Sequence, residues 1–148
     1  MNLDQIVLLL NVISTWFMFG LIWFVQVVHY PLFEKVESAH FATYQKYHQR
    51  LTTFVVGPPM LVEAFSTILL VYFIPPNVPL GLVLTGIVLL FVIWISTAAL
   101  QVPCHSKLEK EFDAPVHRRL VVSNWIRTIG WTARGAIVSW MLVSWKTG

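Results

Sequence analysis

Four apolar blocks constrain the fold of this chain more than any other feature of its sequence. They cover about residues 6–28, 51–74, 80–102 and 120–145. Each block reaches the ~20 residues that a helix needs to cross the hydrocarbon core of a bilayer. A helix satisfies all its backbone polar groups within the segment, as the lipid interior requires. We therefore predict an all-α protein, an antiparallel four-helix transmembrane bundle forming one integral membrane domain over residues 1–148.

Composition supports a membrane protein and excludes several other classes. The chain is 57% hydrophobic and 11% charged, whereas soluble domains are about 25% charged. The net charge of +3 is carried by residues near the ends of the blocks, a placement that does not indicate nucleic-acid binding. A single cysteine, Cys104, excludes an internal disulfide and a cysteine-only metal site. No basic leader region precedes the first block, so we expect that block to be a retained span.

The basic residues predict the orientation in the membrane. Two polar connections, after the first and third blocks, contain Lys35, Lys46, Arg50, Lys107, Lys110, Arg118 and Arg119. The link "PPNVP" after the second block has no charge, and only Lys146 lies at the opposite side. Because cytoplasmic loops are enriched in Lys and Arg, both polar connections are expected in the cytoplasm and both termini outside. We expect a multi-pass protein of the bacterial cytoplasmic (inner) membrane.

The connection between the first two spans has the pattern of a helix. After Pro31, "FEKVESAHFATYQKYHQR" contains strong helix formers, and Phe41, Tyr44 and His48 share helical spacing. We predict an amphipathic cytoplasmic helix that rests at the interface or extends the second span. The second polar connection is expected to be helical from Ser106 to about Phe112.

Three ionisable residues lie inside the predicted spans. At a rise of 1.5 Å per residue, Glu63 and Arg134 lie about 18 and 20 Å below the cytoplasmic ends of their spans. They are therefore expected to pair, either to fix helix register or to serve in catalysis. Arg127 lies two turns nearer the cytoplasm, level with the Gly57–Pro58–Pro59 segment, whose prolines free backbone carbonyls that the arginine could satisfy, which is the structural alternative for this residue. We predict that it faces a cavity and holds the polar end of a substrate.

Several polar and aromatic side chains are candidates for the walls of that cavity. Asn124 shares a helix face with Arg127 and Arg134. The tryptophans have flat apolar rings, and the candidates for cofactor or substrate contact are Trp16, Trp23, Trp94 and Trp125. The alternative for the tryptophans is core filling or an interfacial belt.

The five histidines lie at or beyond the cytoplasmic ends of the spans. They are His29, His40, His48, His105 and His117. Neutral imidazole is a common ligand of Zn, Fe and Cu, so a shared transition-metal or haem site is one interpretation. Hydrogen-bonding caps are the other, because polar residues are excluded from the spans in any case. His40 and His48 are about 12 Å apart along a helix, so one ion cannot bind both.

Several segments together resemble a known group of proteins. They are "VQVVHYPLF", "FATYQKYHQR", "VGPPMLVE", "VPCH" and "HRRLVVSNWIRTIGWTARG". The chain is similar over nearly its whole length to small bacterial four-helix membrane proteins of unassigned function. In length and span number only, it is similar to anthrone-oxygenase-like membrane proteins, which implies oxygen chemistry but supplies no motif. Its size and predicted topology also resemble those of the four-helix, haem-binding protoporphyrinogen oxidases of bacteria, whose motifs it does not match.

Three hypotheses of function follow. The first is a membrane oxidoreductase with a histidine-ligated metal that acts on a lipophilic substrate. The second is a non-catalytic accessory subunit of a larger membrane complex, or a homo-oligomer, that binds pigment, quinone, haem or lipid. The third is a small transporter in which Glu63 and Arg134 form a proton or ion relay. The sequence has none of the broken-helix repeats that are typical of transporters, so this hypothesis ranks last.

Overall fold

The computed structural model describes residues 2–147, and within that range the protein is all-α, with no strand. The four long helices are α1 (Leu3–Lys35), α2 (Ser38–Tyr72), α3 (Leu80–Leu108) and α4 (Ala114–Thr147). The predicted apolar blocks all lie within or almost entirely within these helices. The connection between the first two spans is not a separate helix, because its residues from Ser38 onward are the first turns of α2. The turn between α2 and α3 contains Asn77 at φ 65°, a left-handed conformation that asparagine tolerates.

Helices α1 and α3 each contain a π-helical segment, Val25–His29 in α1 and Thr97–Gln101 in α3. A proline follows each segment, Pro31 in the first helix and Pro103 in the second. A proline ring clashes with the carbonyl four residues earlier, which lies inside the π segment in both helices. The wider π turn accommodates this carbonyl, so the helix continues past the proline with its later residues rotated about the axis. The rotation affects the residues at one end of the bundle.

Three apolar layers form the core. Helix α1 packs against α2 and α4, and α3 packs against α4 and less extensively against α2. One end layer consists of Val7, Leu8, Leu70, Val78, Val83 and Met141. The middle layer consists of Met18, Ile22, Met60, Ile93 and Trp131. The layer at the other end consists of Tyr30, Phe33, Phe41, Cys104, Leu108 and Leu120. The bundle is thus closed at both ends by aliphatic or aromatic packing.

Helices α1, α2 and α3 are long and apolar enough to cross a membrane. Helix α4 has the length, but its arginines and other polar side chains lower its mean hydropathy below that of the other three. Large apolar side chains cover the outside of the bundle. Phe54, Phe65 and Phe91 are 69%, 64% and 65% exposed. A protein in water rarely exposes an apolar surface of this extent, and a membrane protein does so routinely.

Candidate functional site

An ion pair at the centre of the bundle joins all four helices. Arg134 Nε of α4 donates to Glu63 Oε1 of α2 over 2.7 Å, and both side chains are at most 1% exposed. This confirms the contact predicted from depth. Thr15 of α1 donates to the same oxygen over 2.8 Å, and Trp131 Nε1 donates to Glu63 Oε2 over 2.9 Å. Arg134 also donates to the backbone carbonyl of Gly86 in α3.

The hydrogen bonds around this pair continue to further buried hydroxyl groups. Arg134 Nη2 donates to Thr67 over 2.9 Å, and Asn11 of α1 donates to Ser66 and Thr67 over 3.0 and 2.8 Å. Both carboxylate oxygens and all three guanidinium nitrogens therefore have partners within the protein. A buried pair satisfied in this way fixes the register of the helices. Glu63 and Arg134 do not line the cavity described next.

A cavity of about 280 Å³ lies between the ion pair and the end of the bundle that carries the histidines. One part of its wall is apolar and is formed by Met18, Leu21, Ile22, Val25, Val56 and Met60. The other part is polar and is formed by Tyr30, His48, Gln49, Gln101, His105 and Arg127. Exposed residues of the rim, Thr53 of α2 and Val102 of α3, place its opening between these two helices. The cavity is thus amphipathic and open to one side.

Arg127 is the one arginine or lysine that lines this cavity in the described part of the chain. Its side chain is 8% exposed, and its guanidinium lies over the Trp131 ring, 5.2 Å from the centroid. The Nε atom is buried without a hydrogen-bond partner, and the neighbouring Tyr30 hydroxyl interacts with the guanidinium. Within residues 2–147 the three ion pairs do not include Arg127. The expected contacts to carbonyls freed by Pro58 and Pro59 are also not among its hydrogen bonds in this range.

Three of the five histidines lie together, and two of them, His48 and His105, line the polar part of the cavity. His29 Nε2 and His48 Nδ1 are 2.9 Å apart, so one ring donates and the other accepts, and the accepting ring nitrogen carries no proton. The His48 and His105 ring centroids are 5.8 Å apart. The Gln45 amide donates to His105 Nδ1 over 2.7 Å. His105 Nε2 then carries the proton and donates to the Tyr30 hydroxyl over 3.0 Å.

The other two histidines that were candidate metal ligands, His40 and His117, lie outside this cluster. His40 is an exposed residue near Glu37, at 3.9 Å. His117 is buried, with Nε2 donating to the Tyr30 carbonyl over 2.8 Å and Nδ1 3.2 Å from Glu34. Within residues 2–147 no group of three or more His, Cys, Asp or Glu side chains is arranged to hold a metal ion. The close ring nitrogens of the cluster bond to one another and to Tyr30, Gln45 and Thr52.

The candidate wall residues also lie elsewhere. Among the described residues that line the cavity, Trp16, Trp23, Trp94, Trp125 and Asn124 do not occur. Trp23 and Trp125 pack edge to face with centroids 5.7 Å apart, and the Trp23 indole donates to Thr132 over 3.1 Å. Trp94 is 39% exposed on the outside of α3. These positions fit the alternative of an outer belt better than that of cavity walls.

Asn124 belongs to a buried amide network that the sequence interpretation missed. Its side-chain nitrogen donates to Gln26 Oε1 over 2.9 Å, and Gln26 donates to the Val121 carbonyl over 3.2 Å. Gln101 donates to Ser123 over 3.0 Å. Gln26 lies in the π segment of α1 and Gln101 in that of α3, and both donate hydrogen bonds to residues within one turn of α4. Each glutamine is a single polar residue within an apolar run, and this pattern in the sequence indicates a buried hydrogen-bonding role.

Tyr30 and Gln45 are the other functional candidates that were missed. Tyr30 is 3% exposed and its hydroxyl lies between Arg127 and His105. Gln45 is fully buried and fixes the His105 ring.

Compared with known proteins, the chain matches no family model, no curated protein and no solved structure.

Proposed function

We propose that this protein is a four-helix integral membrane protein whose cavity binds a lipophilic small molecule with a polar head. The observation that carries the proposal is that one part of the cavity wall is hydrocarbon and the other part is polar and includes Arg127. Ligand sites are typically apolar with a few convergent polar groups, which is the composition found here. A lateral opening between α2 and α3 suits a ligand that arrives from the bilayer.

The membrane setting is part of this proposal. The apolar outer surface and the three long apolar helices support it, with α4 as the fourth span. The uneven distribution of basic residues supports a cytoplasmic position for the histidine end and an outside position for both termini. The resemblance to small bacterial four-helix membrane proteins supports placement in the bacterial inner membrane.

Extraction of co-purified lipids tests the binding function. Protein purified in mild detergent and analysed by mass spectrometry is expected to contain a lipophilic molecule at about one per chain. Val56→Trp would fill the apolar part of the cavity and should abolish this occupancy. The matched control is Leu61→Trp, on the same helix at an exposed position outside the cavity. Equal occupancy in wild type, Val56→Trp and Leu61→Trp would show that the molecule binds elsewhere.

A membrane oxidoreductase is the second candidate function. The cluster of His29, His48 and His105, two of which line the cavity, favours it, because imidazoles can transfer protons or bind a transition metal next to a bound substrate. The described residues do not form a metal site as they stand. Elemental analysis and an optical spectrum of purified protein test this candidate. One equivalent of Fe, Cu, Zn or haem, lost on replacing His48 by Ala, would favour the enzyme over an accessory binding subunit.

A further inference from the structure

The charge of Arg127 specifies the ligand more closely, on the basis of the proposed binding function. A guanidinium that is 8% exposed loses most of its hydration, and that loss costs free energy unless an anion or several hydrogen-bond acceptors replace the water. Glu63, the buried carboxylate nearest in depth, is already bonded to Arg134, Thr15 and Trp131. The Trp131 ring below the guanidinium supplies only a weak cation–π contact.

The protein groups around Arg127 are hydrogen-bond donors or neutral groups. The His105 ring donates to the Tyr30 hydroxyl oxygen, so the hydroxyl proton is free to point to a further acceptor. The described residues that line the cavity include no Asp or Glu. Arg127 therefore has the neutral Tyr30 hydroxyl as a neighbour but no carboxylate in the described lining to balance its charge, and both residues offer hydrogen-bond donors at one end of the cavity.

We propose that the cavity binds a long-chain carboxylate, with the carboxylate on Arg127 and Tyr30 and the hydrocarbon chain along Met18, Ile22, Val56 and Met60. The planar fork of a guanidinium matches the two oxygens of a carboxylate. A single cation in the lining balances a single negative charge, which favours a carboxylate over a doubly charged phosphate monoester. A volume of about 280 Å³ lies at the small end of ligand pockets, so it suits one chain and not a two-chain lipid.

Binding measurements on protein in phosphatidylcholine nanodiscs test the proposal. Radiolabelled hexadecanoate is the probe, and methyl hexadecanoate and hexadecyl phosphate are the competitors. The wild type is expected to bind hexadecanoate about tenfold or more tightly than the methyl ester, because a hydrogen-bonded charge pair is lost in the ester. Hexadecyl phosphate is expected to bind more weakly than hexadecanoate.

Variants of Arg127 test whether this residue binds the carboxylate. Arg127→Gln should remove the preference for acid over ester. Arg127→Lys should keep part of this preference, because lysine keeps the positive charge but lacks the planar pair of N–H donors of the guanidinium. Arg119→Gln is the matched control, since it removes an exposed arginine of the same helix. If Arg127→Gln does not fold, the wild-type preference alone decides the question.

Each outcome separates the two proposals. Equal affinity for acid and ester, or an unchanged preference in a folded Arg127→Gln variant, would refute the carboxylate proposal and leave lipophilic binding intact. Tighter binding of hexadecyl phosphate would refute the choice of a carboxylate head. Binding of none of the three probes, together with the absence of a co-purified lipid, would refute the proposed function itself.

Discussion

Replacement of Glu63 by Gln tests the role of the central ion pair. Three donors approach the Glu63 carboxylate: Arg134 Nε and the Thr15 hydroxyl on one oxygen, and Trp131 Nε1 on the other. A glutamine has one acceptor oxygen and one donor nitrogen. In either amide orientation its NH₂ group must face a protein donor, and Arg134 loses its counter-charge within a fully buried site.

The magnitude follows from the burial of the pair. Breaking a buried ion pair by changing one partner costs about 3–5 kcal/mol. For a chain of this size, 1 kcal/mol corresponds to a change of about 2–4 °C in Tm. Glu63→Gln is thus expected to lower Tm by about 6–20 °C. Glu111→Gln is the control, because it removes an exposed carboxylate from the connection before α4.

A double variant distinguishes the ion pair from a general loss of packing. Glu63→Leu combined with Arg134→Met removes both charges, so it should recover much of the loss seen in Glu63→Gln. Recovery should be incomplete because the Trp131 N–H loses its acceptor. The assay is thermal unfolding in detergent, with the free energy of unfolding measured in bicelles. A Tm of Glu63→Gln equal to that of the wild type would refute the reasoning.

Two further predictions concern helix packing and topology. A Cβ at Gly130 would lie 2.8 Å from Ile93 Cγ1, so Gly130→Ala should destabilise the protein by about 1–3 kcal/mol in the same unfolding assay. Gly135→Ala is the control, since its nearest contacts would be at 3.8 Å, and equal stability of the two variants would contradict the close packing at Gly130. In a Cys104→Ser background, Thr147→Cys should react with an impermeant maleimide added outside cells, and Thr43→Cys should react only after permeabilisation. Labelling of Thr43→Cys from outside would overturn the proposed orientation.

Depth along the helices could be predicted from the sequence, because helical rise is constant. This is why the Glu63–Arg134 contact and the common level of His29, His48 and His105 agree with the structure. The constant rise also gave about 12 Å between His40 and His48, and the structure places only His48 in the cluster.

Rotation about the helix axes could not be predicted in the same way. Each π segment turns the residues beyond it, and the positions of these segments depend on how a proline is accommodated. The lateral order of the helices also determines partners. Asn124 bonds to Gln26 because α1 lies beside α4, a neighbour relation that the periodicity of either helix does not contain. The tryptophans were misplaced for the same reason.

The lateral opening of the cavity affects how binding must be expressed. Thr53 and Val102 at its rim lie near exposed apolar side chains such as Phe54 and Val55, so in the proposed membrane setting a ligand would reach the cavity from the lipid phase. The relevant concentration is then the mole fraction of ligand among the lipids. Dilution of the sample with buffer should leave occupancy unchanged as long as the ligand stays in the bilayer. Added phosphatidylcholine should lower occupancy in proportion, and the lipid composition of the membrane would thereby set how much of the protein is filled.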